Sequence, residues 1–135
     1  MNPRQLGGTL VLLLAVAASA HAAKTQVEVV CKQADGDSIG MQLCSALRDV
    51  IAASPRYEYV ENVKTWHWFV SIVSTTDDGN NLSSAQSVVF ATGTSGVQFF
   101  IDHLVLVTGQ TRINYQAHSI LAALDEDVGA FNTSK

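Results

Sequence analysis

The sequence predicts an α+β fold, a two-layer sandwich of element order β-α-β-β-β-α in which a four-stranded mixed sheet carries two helices on one face. Three observations predict it. Four segments alternate apolar and polar residues every two positions, two segments repeat apolar residues at helical spacing, and short polar turns join the last three strands. Such turns favour an antiparallel meander, so both amphipathic helices are free to cover one side of the sheet.

The first strand, turn and helix are predicted over residues 26–54. Alternate residues of 27–31 are apolar, which indicates a half-buried strand. Gly36 suits the turn that follows, and Asp37 is the predicted helix cap, because its carboxylate can accept the free N–H groups of the first helical turn. Ser54 precedes a proline and is expected to end the helix. The apolar face of this helix consists of Ile39, Leu43, Ala46, Leu47, Val50 and Ile51.

Three further strands and a second helix complete the predicted order. The strands are expected at 65–75, 86–92 and 97–108, and the turns between them are rich in glycine, asparagine, aspartate and serine. The last strand is apolar on both faces in its second half, as is typical of a central or doubly covered strand. A second amphipathic helix is predicted from about Thr111 to Asp127.

The first 22 residues have the pattern of a Sec-type signal peptide. Arg4 supplies a positive start, residues 10–18 form an apolar stretch too short to span a bilayer, and an A-x-A cleavage site ends at Ala22. We therefore expect residues 1–22 to be removed and residues 23–135 to form a single α+β domain. The alanine-rich leader is of bacterial type, which predicts a periplasmic or secreted protein.

Composition limits the partners and ligands of the chain. Residues 23–135 carry seven basic and twelve acidic side chains, a net charge of −5, and contain no basic run, which argues against nucleic acid as a partner. They contain no apolar stretch of about 18 residues, so we expect no membrane span in the mature chain. Metal-ligand spacing is missing between His67, His103 and His118. We therefore predict structural histidines, no metal site and no cofactor.

The two cysteines of the chain, Cys31 and Cys44, are a candidate disulfide. One lies late in the first strand and the other lies on the flank of the apolar face of the helix, so packing of the helix on the sheet can bring the sulfurs together. An oxidising compartment favours the bond, which would stabilise the fold by about 3 kcal/mol. Two separately buried thiols are the alternative.

The stretch from Asp37 to Tyr57 resembles a pattern in small exported proteobacterial proteins of unassigned function. The residues that carry the resemblance are Asp37-x-x-Gly40-x-x-Leu43-x-x-x-Leu47-Arg48-x-x-Ile51-x-x-Ser54-Pro55-Arg56-Tyr57. In its order of elements, the domain is also similar to the N-terminal domain of TolB and to the curli-secretion lipoprotein CsgG. Those domains serve in envelope assemblies and have no catalytic residues to transfer, so the resemblance implies a fold and a compartment and no active site.

One candidate catalytic motif is the pentapeptide from Gly36 to Gly40, which matches G-x-S-x-G and lies between a predicted strand and a predicted helix. It also resembles the G-D-S-[LI] block of the GDSL esterases, whose serine is the nucleophile, and that resemblance implies a catalytic Ser38. Three observations argue against an enzyme: no D-x-x-H follows near the C-terminus, 113 residues are few for the large sheet of such enzymes, and four residues separate Lys32 from Asp37, whereas a nucleophile elbow follows its strand tightly. The favoured interpretation is a helix N-terminus, in which Asp37 caps the helix.

The side of the sheet away from the helices is a candidate interaction surface. Trp66 and Trp68 share a face of their strand with Val70 and Ile72, so we expect both tryptophans in the core beneath the helices. The residues that then face outward are unusually apolar for a surface in water, and a large exposed apolar patch marks a partner site. The candidate interaction residues are His67, Phe69, Val73, Val89, Phe99 and Ile101, with Val105 beside them.

These patterns favour a non-enzymatic protein-interaction module of the bacterial cell envelope. We expect its partner to be another envelope protein or a second copy of the chain in a homodimer. Two other interpretations stay open: a small secreted serine esterase that uses Ser38, and an exported inhibitor or immunity-type protein that blocks another enzyme. Labelling of Ser38 in the folded protein by a fluorophosphonate probe would distinguish the esterase from the other two.

Overall fold

The structure, a computed structural model, describes residues 23–76 and 81–134, which form one sheet and two helices. The strands are β1 (Thr25–Gln33), β2 (Tyr57–Tyr59), β3 (His67–Thr76), β4 (Ser83–Gly93) and β5 (Gln98–Gly109). The helices are α1 (Ser38–Ala53), between β1 and β2, and α2 (Ile113–Thr133), which follows β5 after a single 3₁₀ turn at Gln110–Arg112. The predicted signal peptide, residues 1–22, lies outside the described residues.

The sheet has five strands, in the order β2-β1-β3-β4-β5, where the sequence predicted four. β1 is parallel to both β2 and β3, and β3, β4 and β5 form an antiparallel meander. The additional strand is Tyr57–Tyr59, which pairs with residues 25–27 of β1 at the edge of the sheet. Three residues are too few to show the periodicity of a strand, and for this reason the prediction of four strands was wrong. The α+β class with a mixed sheet and two helices is confirmed.

Both helices pack on the same side of the sheet and enclose one hydrophobic core. The alternate residues of β1, β3 and β4 that face the helices are almost completely buried, as the two-residue period of a strand requires. Both helices contribute residues three or four positions apart, which lie on one helical face. The main core residues are Val27, Val29, Leu43, Leu47, Ile51, Val70, Ile72, Val88, Phe90, Ala117, Ile120, Leu124 and Val128.

The start of α1 is fixed by a turn and by a buried carboxylate. Gly36 has a φ of +83°, in the left-handed region that favours glycine. Asp37 is the N-cap: its carboxylate accepts hydrogen bonds from the N–H of Gly40 at 2.9 Å and from the hydroxyl of Ser84 at 2.8 Å. Gly40 lies so close to the Ser74 hydroxyl and to the Asp37 carboxylate that a Cβ there would collide with both. These contacts join the first turn of α1 to β3 and β4.

The connection from β2 to β3, residues 60–66, passes over the side of the sheet that faces away from the helices. The N–H of Asn62 donates to Oε1 of Glu28 at 3.4 Å, and Glu28 lies on that side of β1. His67 is buried at the start of β3. Its Nε2 lies 3.0 Å from Oε2 of Glu28, and its Nδ1 lies 2.7 Å from the carbonyl oxygen of Thr65. The histidine and the carboxylate therefore hold the crossover against the sheet.

α2 extends beyond its predicted end near Asp127 and continues to Thr133. Its last turns contribute to the core, because the ring of Phe131 packs edge-on against Trp68 with centroids 5.7 Å apart. The prediction ended the helix too early because residues 129–133 are polar, small or glycine except for this one aromatic. Within the described parts of the chain, no helix has the length and hydropathy needed to cross a membrane.

A polar contact ties α2 to β2. The buried hydroxyl of Tyr57 donates to the carboxylate of Asp125 at 2.5 Å, and Arg56 forms an ion pair with the same carboxylate at 3.0 Å. Burial, and then the bond to Asp125, raise the pKa of Tyr57 well above its usual value, because the phenolate would have to form in an apolar site beside a negative charge. The short edge strand is thereby held to the helix that ends the fold.

Candidate interaction surface

The side of the sheet away from the helices, which we call the open face, exposes several large apolar side chains. The strand register shows that they share this face: Val73 of β3 pairs with Ser87 of β4, which in turn pairs with Val105 of β5. Side chains at paired positions lie on the same face of a sheet, so the exposed apolar residues of β1, β3 and β5 lie on one side, with Ser71 and Ser87 between them. They are Val30 (46% exposed), Val73 (56%), Phe100 (64%), Val105 (75%) and Val107 (59%).

A β-bulge in β5 changes which of its residues belong to the open face. The pairing with β4 shifts between Phe90 and Ala91, so that Ile101 is an extra residue without a partner. One extra residue reverses the alternation of side chains beyond it. Phe99 and Ile101, which we predicted on the open face, therefore lie on the helix side, and Phe100 takes the outward position. The two-residue period carries no mark of an inserted residue, so this exchange could not be predicted from the alternation of side chains.

Two other predicted interaction residues, His67 and Phe69, are on the open face and are nevertheless buried, with 2% and 3% exposure. Their rings lie 4.1 Å apart, beneath the crossover that Glu28 and His67 hold in place. Of the remaining predicted residues, Val73 is exposed and Val89 is half-buried. The crossover therefore covers one end of the open face, and the accessible area extends from the middle of β1 to β5.

A small cluster of aromatic residues lies at the edge of the helix side. Trp66 stacks on Phe99 with ring centroids 5.7 Å apart, and both rings border a cavity of about 280 Å³ together with Thr92 and Phe131. Trp68 is buried as predicted, whereas Trp66 is 54% exposed because it lies just before β3, outside the area that the helices cover. The cluster shields the end of the core beside α2.

Cys31 and Cys44 are joined in a disulfide, the first of the two alternatives that the sequence left open. The bond links β1 to α1 with a Cα–Cα distance of 6.4 Å, within the range of ordinary disulfides. Cys44 is buried in the core and Cys31 is half-buried beside it. The bond therefore fixes the helix against the strand that lies second from the edge of the sheet.

Ser38, the candidate nucleophile, is the first residue of α1 and is half-buried. Its backbone N–H lies 3.4 Å from the side-chain oxygen of Asn81. Within the described residues, neither of the two cavities that Ser38 borders includes a histidine, and His67 is engaged by Glu28 at the start of β3. The surroundings of Ser38 are those of a capped helix N-terminus.

An acidic group lies where β5 approaches the end of α2. One carboxylate oxygen of Asp127 is buried and has no hydrogen-bond partner. Burial, with added repulsion from Asp102 and Glu126, raises the pKa of Asp127 above its usual value. Among the described residues, no group of three or more histidine, cysteine, aspartate or glutamate side chains is arranged to hold a metal ion. The burial of Asp127 and its repulsion by Asp102 therefore lower the stability of the fold near β5.

Comparison with known proteins places this chain in no sequence family. No protein-family model matches it, and no curated protein matches it. Among solved structures it is similar to TolB from Acinetobacter baumannii, with 12% identity and a TM-score of 0.49, over 79% of this chain and 29% of that chain. It is also similar to a hypothetical protein from Chlamydia trachomatis, with 13% identity and a TM-score of 0.40, over 65% of this chain and 73% of that chain. The chain thus spans less than a third of TolB, and neither likeness carries a functional argument.

Proposed function

We propose that the chain is an exported, periplasmic protein that works as a non-enzymatic protein-interaction module of the cell envelope. The observation that carries the proposal is the open face, where exposed valines of β1, β3 and β5 and Phe100 lie on one side of the sheet. Large exposed apolar patches are uncommon on monomeric proteins and mark sites where another molecule docks. The partner is an envelope protein or a second copy of the chain.

Export is supported by the disulfide and by the pattern of the first 22 residues. Structural disulfides form and persist in the oxidising periplasm and are rare in the cytosol, where thiols are kept reduced. The bond between Cys31 and Cys44 links two elements of the core, so it is part of the fold rather than an accessible redox centre. The signal-peptide pattern and the buried structural disulfide both support export to the periplasm.

The roles of the polar residues support an interaction module over an enzyme. Asp37, the residue beside the candidate nucleophile, is occupied by the N–H of Gly40 and the hydroxyl of Ser84. His67, which is the most buried histidine of the described residues, has contacts on both ring nitrogens that fix the crossover. Catalysis needs a nucleophile, a base and an orienting group within mutual hydrogen-bond reach. In this chain, Asp37 and His67 make their structural contacts at separate places in the fold.

Site-specific photo-crosslinking in living cells tests whether the open face makes contacts. A benzophenone amino acid at Val73, in the middle of the open face, is expected to give crosslinked products in the periplasm. The matched control is the same substitution at Met41, an exposed apolar residue on α1, 59% exposed and on the other side of the molecule. Equal crosslinking at both positions, or none at Val73, would contradict the proposal.

A further inference from the structure

The outer edge of β5 differs from the other edge of the sheet. β2, at one end, has three residues, whereas β5, at the other end, has twelve, and no other described strand pairs with its outer side. An exposed edge strand presents a row of free N–H and C=O groups, which are a template for pairing with another strand. Natural proteins usually protect such an edge with proline, lysine or a bulge.

The residues of β5 whose backbone groups point outward can be identified from the pairing with β4. The N–H of Gln110 donates to the carbonyl of Leu82, which makes this pair a hydrogen-bonded one. In an antiparallel ladder, hydrogen-bonded and non-hydrogen-bonded pairs alternate, and the residues of the latter direct their N–H and C=O groups away from the neighbouring strand. Counting back along the register from Gln110 gives the outward residues, which are His103, Val105, Val107 and Gly109.

This part of the edge has none of the usual protection. Residues 103–109 contain no proline, lysine, arginine or acidic residue, and the bulge at Ile101 lies before them. Their side chains are mainly branched and apolar, and Val105 and Val107 are 75% and 59% exposed. Residues 103–107 are therefore a regular strand edge with exposed apolar side chains, and beyond them Thr108 is fully buried and Gly109 is half-buried.

We propose that β5 pairs antiparallel with β5 of a second copy of this chain, about a two-fold axis at Leu106. This inference rests on the proposed function and names its partner. An antiparallel two-fold contact is self-complementary, so one strand supplies both sides of it. With the axis at Leu106, Val105 faces Val107 of the other copy and His103 faces Gly109. All four outward residues then form hydrogen-bonded pairs, with about eight backbone hydrogen bonds, and the two sheets become one.

The side chains fit this register. On the open face Val105 meets Val107 of the other copy, so the two most exposed valines of each strand cover one another. On the helix side Leu106 meets itself, whereas Thr108 is fully buried in its own chain, where its hydroxyl donates to Gln86, and makes no side-chain contact across the two-fold axis. Asp102 lies outside the paired segment, and the two copies of Asp102 are about 27 Å apart. That distance exceeds the screening length of about 8 Å at physiological salt, so the acidic residues do not oppose the contact.

The size of the contact sets its expected strength. Seven residue pairs form an edge of about 24 Å by 10 Å, well below the roughly 800 Å² per partner that stable complexes bury. We therefore expect a weak, reversible dimer whose population rises with protein concentration. Pairing would also join the open faces of two copies into a surface of twice the width.

Replacing the paired valines with charged residues tests both whether β5 forms the contact and whether its register is the proposed one. The variants are Val105→Lys/Val107→Lys and Val105→Glu/Val107→Glu, in protein recovered from the periplasm, with mass measured by light scattering over about 1–500 µM. Each variant alone places like charges opposite one another, and we expect self-association at least ten-fold weaker than that of the wild type. An equimolar mixture places lysine opposite glutamate, so we expect a one-to-one heterodimer that weakens with added salt. The mixture also controls for folding, because misfolded variants would not reassociate.

The matched control is Val30→Lys/Val73→Lys, which makes the same chemical change at two exposed valines of the open face away from β5. It is expected to dimerise like the wild type. A wild-type protein that stays monomeric over this range overturns the inference, and so does a mixture that forms no heterodimer. A dimer that the control variant breaks and the β5 variants leave intact also overturns it. That last result would place the contact on the open face, so the proposed function would stand while the inference failed.

Discussion

At the scale of single residues, Asp127 shows how a carboxylate can lower stability without any role in the core. Its unpartnered oxygen is buried, and Asp102 and Glu126 are near enough to add repulsion. A carboxylate in this position is ionised at neutral pH only at a cost in folding free energy, since no donor compensates for lost hydration. Asp37 is the opposite case, because the Gly40 N–H and the Ser84 hydroxyl both donate to its buried carboxylate.

We predict that Asp127→Asn stabilises the protein at pH 7, by about 0.5–1 kcal/mol in the free energy of unfolding. The pKa of Asp127 is raised in the folded state, so the folded protein binds the proton more tightly, and stability falls as pH rises from about 3.8 through the raised pKa. The gain from the substitution should therefore be absent at acid pH and complete above the raised pKa. Denaturant unfolding at several pH values measures it.

The control for this prediction is Asp49→Asn, which makes the same change in net charge on the exposed surface of α1. Its effect should be small at every pH, because exposed surface substitutions rarely change stability by more than about 0.5 kcal/mol. Equal gains from both variants would show that net charge, and not the burial of Asp127, is responsible.

At the scale of elements, the first turn of α1 packs more tightly on the sheet than any side chain larger than hydrogen would allow. Gly40 faces the Ser74 hydroxyl of β3, which is buried without a hydrogen-bond partner, and the carboxylate that caps the helix. Glycine in a helix costs about 1 kcal/mol relative to alanine, so close packing must compensate for poor helix propensity here. The position of α1 therefore depends on residue 40 being a glycine.

We predict that Gly40→Ala destabilises the protein by about 1–3 kcal/mol, because the added methyl group must displace Ser74 and the Asp37 cap. The control is Gly129→Ala in α2, where the space around the glycine is open. There the better helix propensity of alanine should raise stability by up to about 1 kcal/mol. Thermal and denaturant unfolding of both variants measures these changes in stability. A neutral or stabilising Gly40→Ala would contradict the packing argument.

At the scale of the whole molecule, the disulfide connects the compartment to the stability of the fold. It joins residues 13 apart in the sequence and holds α1 against β1, so it restricts the unfolded chain and fixes one helix on the sheet. A domain of this size buries a moderate core, and a contribution of about 3 kcal/mol from the bond is a large part of a typical total stability.

We predict that protein recovered from the periplasm begins at Ala23 and contains no free thiol. N-terminal sequencing and thiol titration under denaturing conditions measure the two properties. Reduction should lower the free energy of unfolding by about 3 kcal/mol, and Cys31→Ser/Cys44→Ser, which cannot form the bond, should be equally destabilised and insensitive to reductant. Two reactive thiols in the exported protein, or a retained leader, would contradict the prediction.

The elements and the surface were predictable from the sequence to different degrees. The long strands and both helices follow from periodicity, because each has enough residues to show a repeat of two or of about 3.6 positions. β2 was not predicted as a strand of the sheet, since three residues show no repeat; Tyr57–Tyr59 is held by pairing with β1, by burial of Tyr57 in the core and by the bond to Asp125. Among the candidate interaction residues, Phe99 and Ile101 lie on the other face because of the bulge, and His67 and Phe69 lie on the predicted face but are covered by the crossover.

By itself the sequence determined the α+β class, the order of the long elements, the cap at Asp37 and most of the core residues. These depend on interactions between residues that are neighbours in the chain, so local periodicity and turn chemistry are sufficient. Only the tertiary structure decided that β5 is an edge strand, that Phe100 rather than Phe99 faces outward, and that Glu28 holds His67 beneath a crossover. Those features depend on which strands lie side by side, and strand order is set by contacts between residues distant in the sequence, which no local pattern encodes.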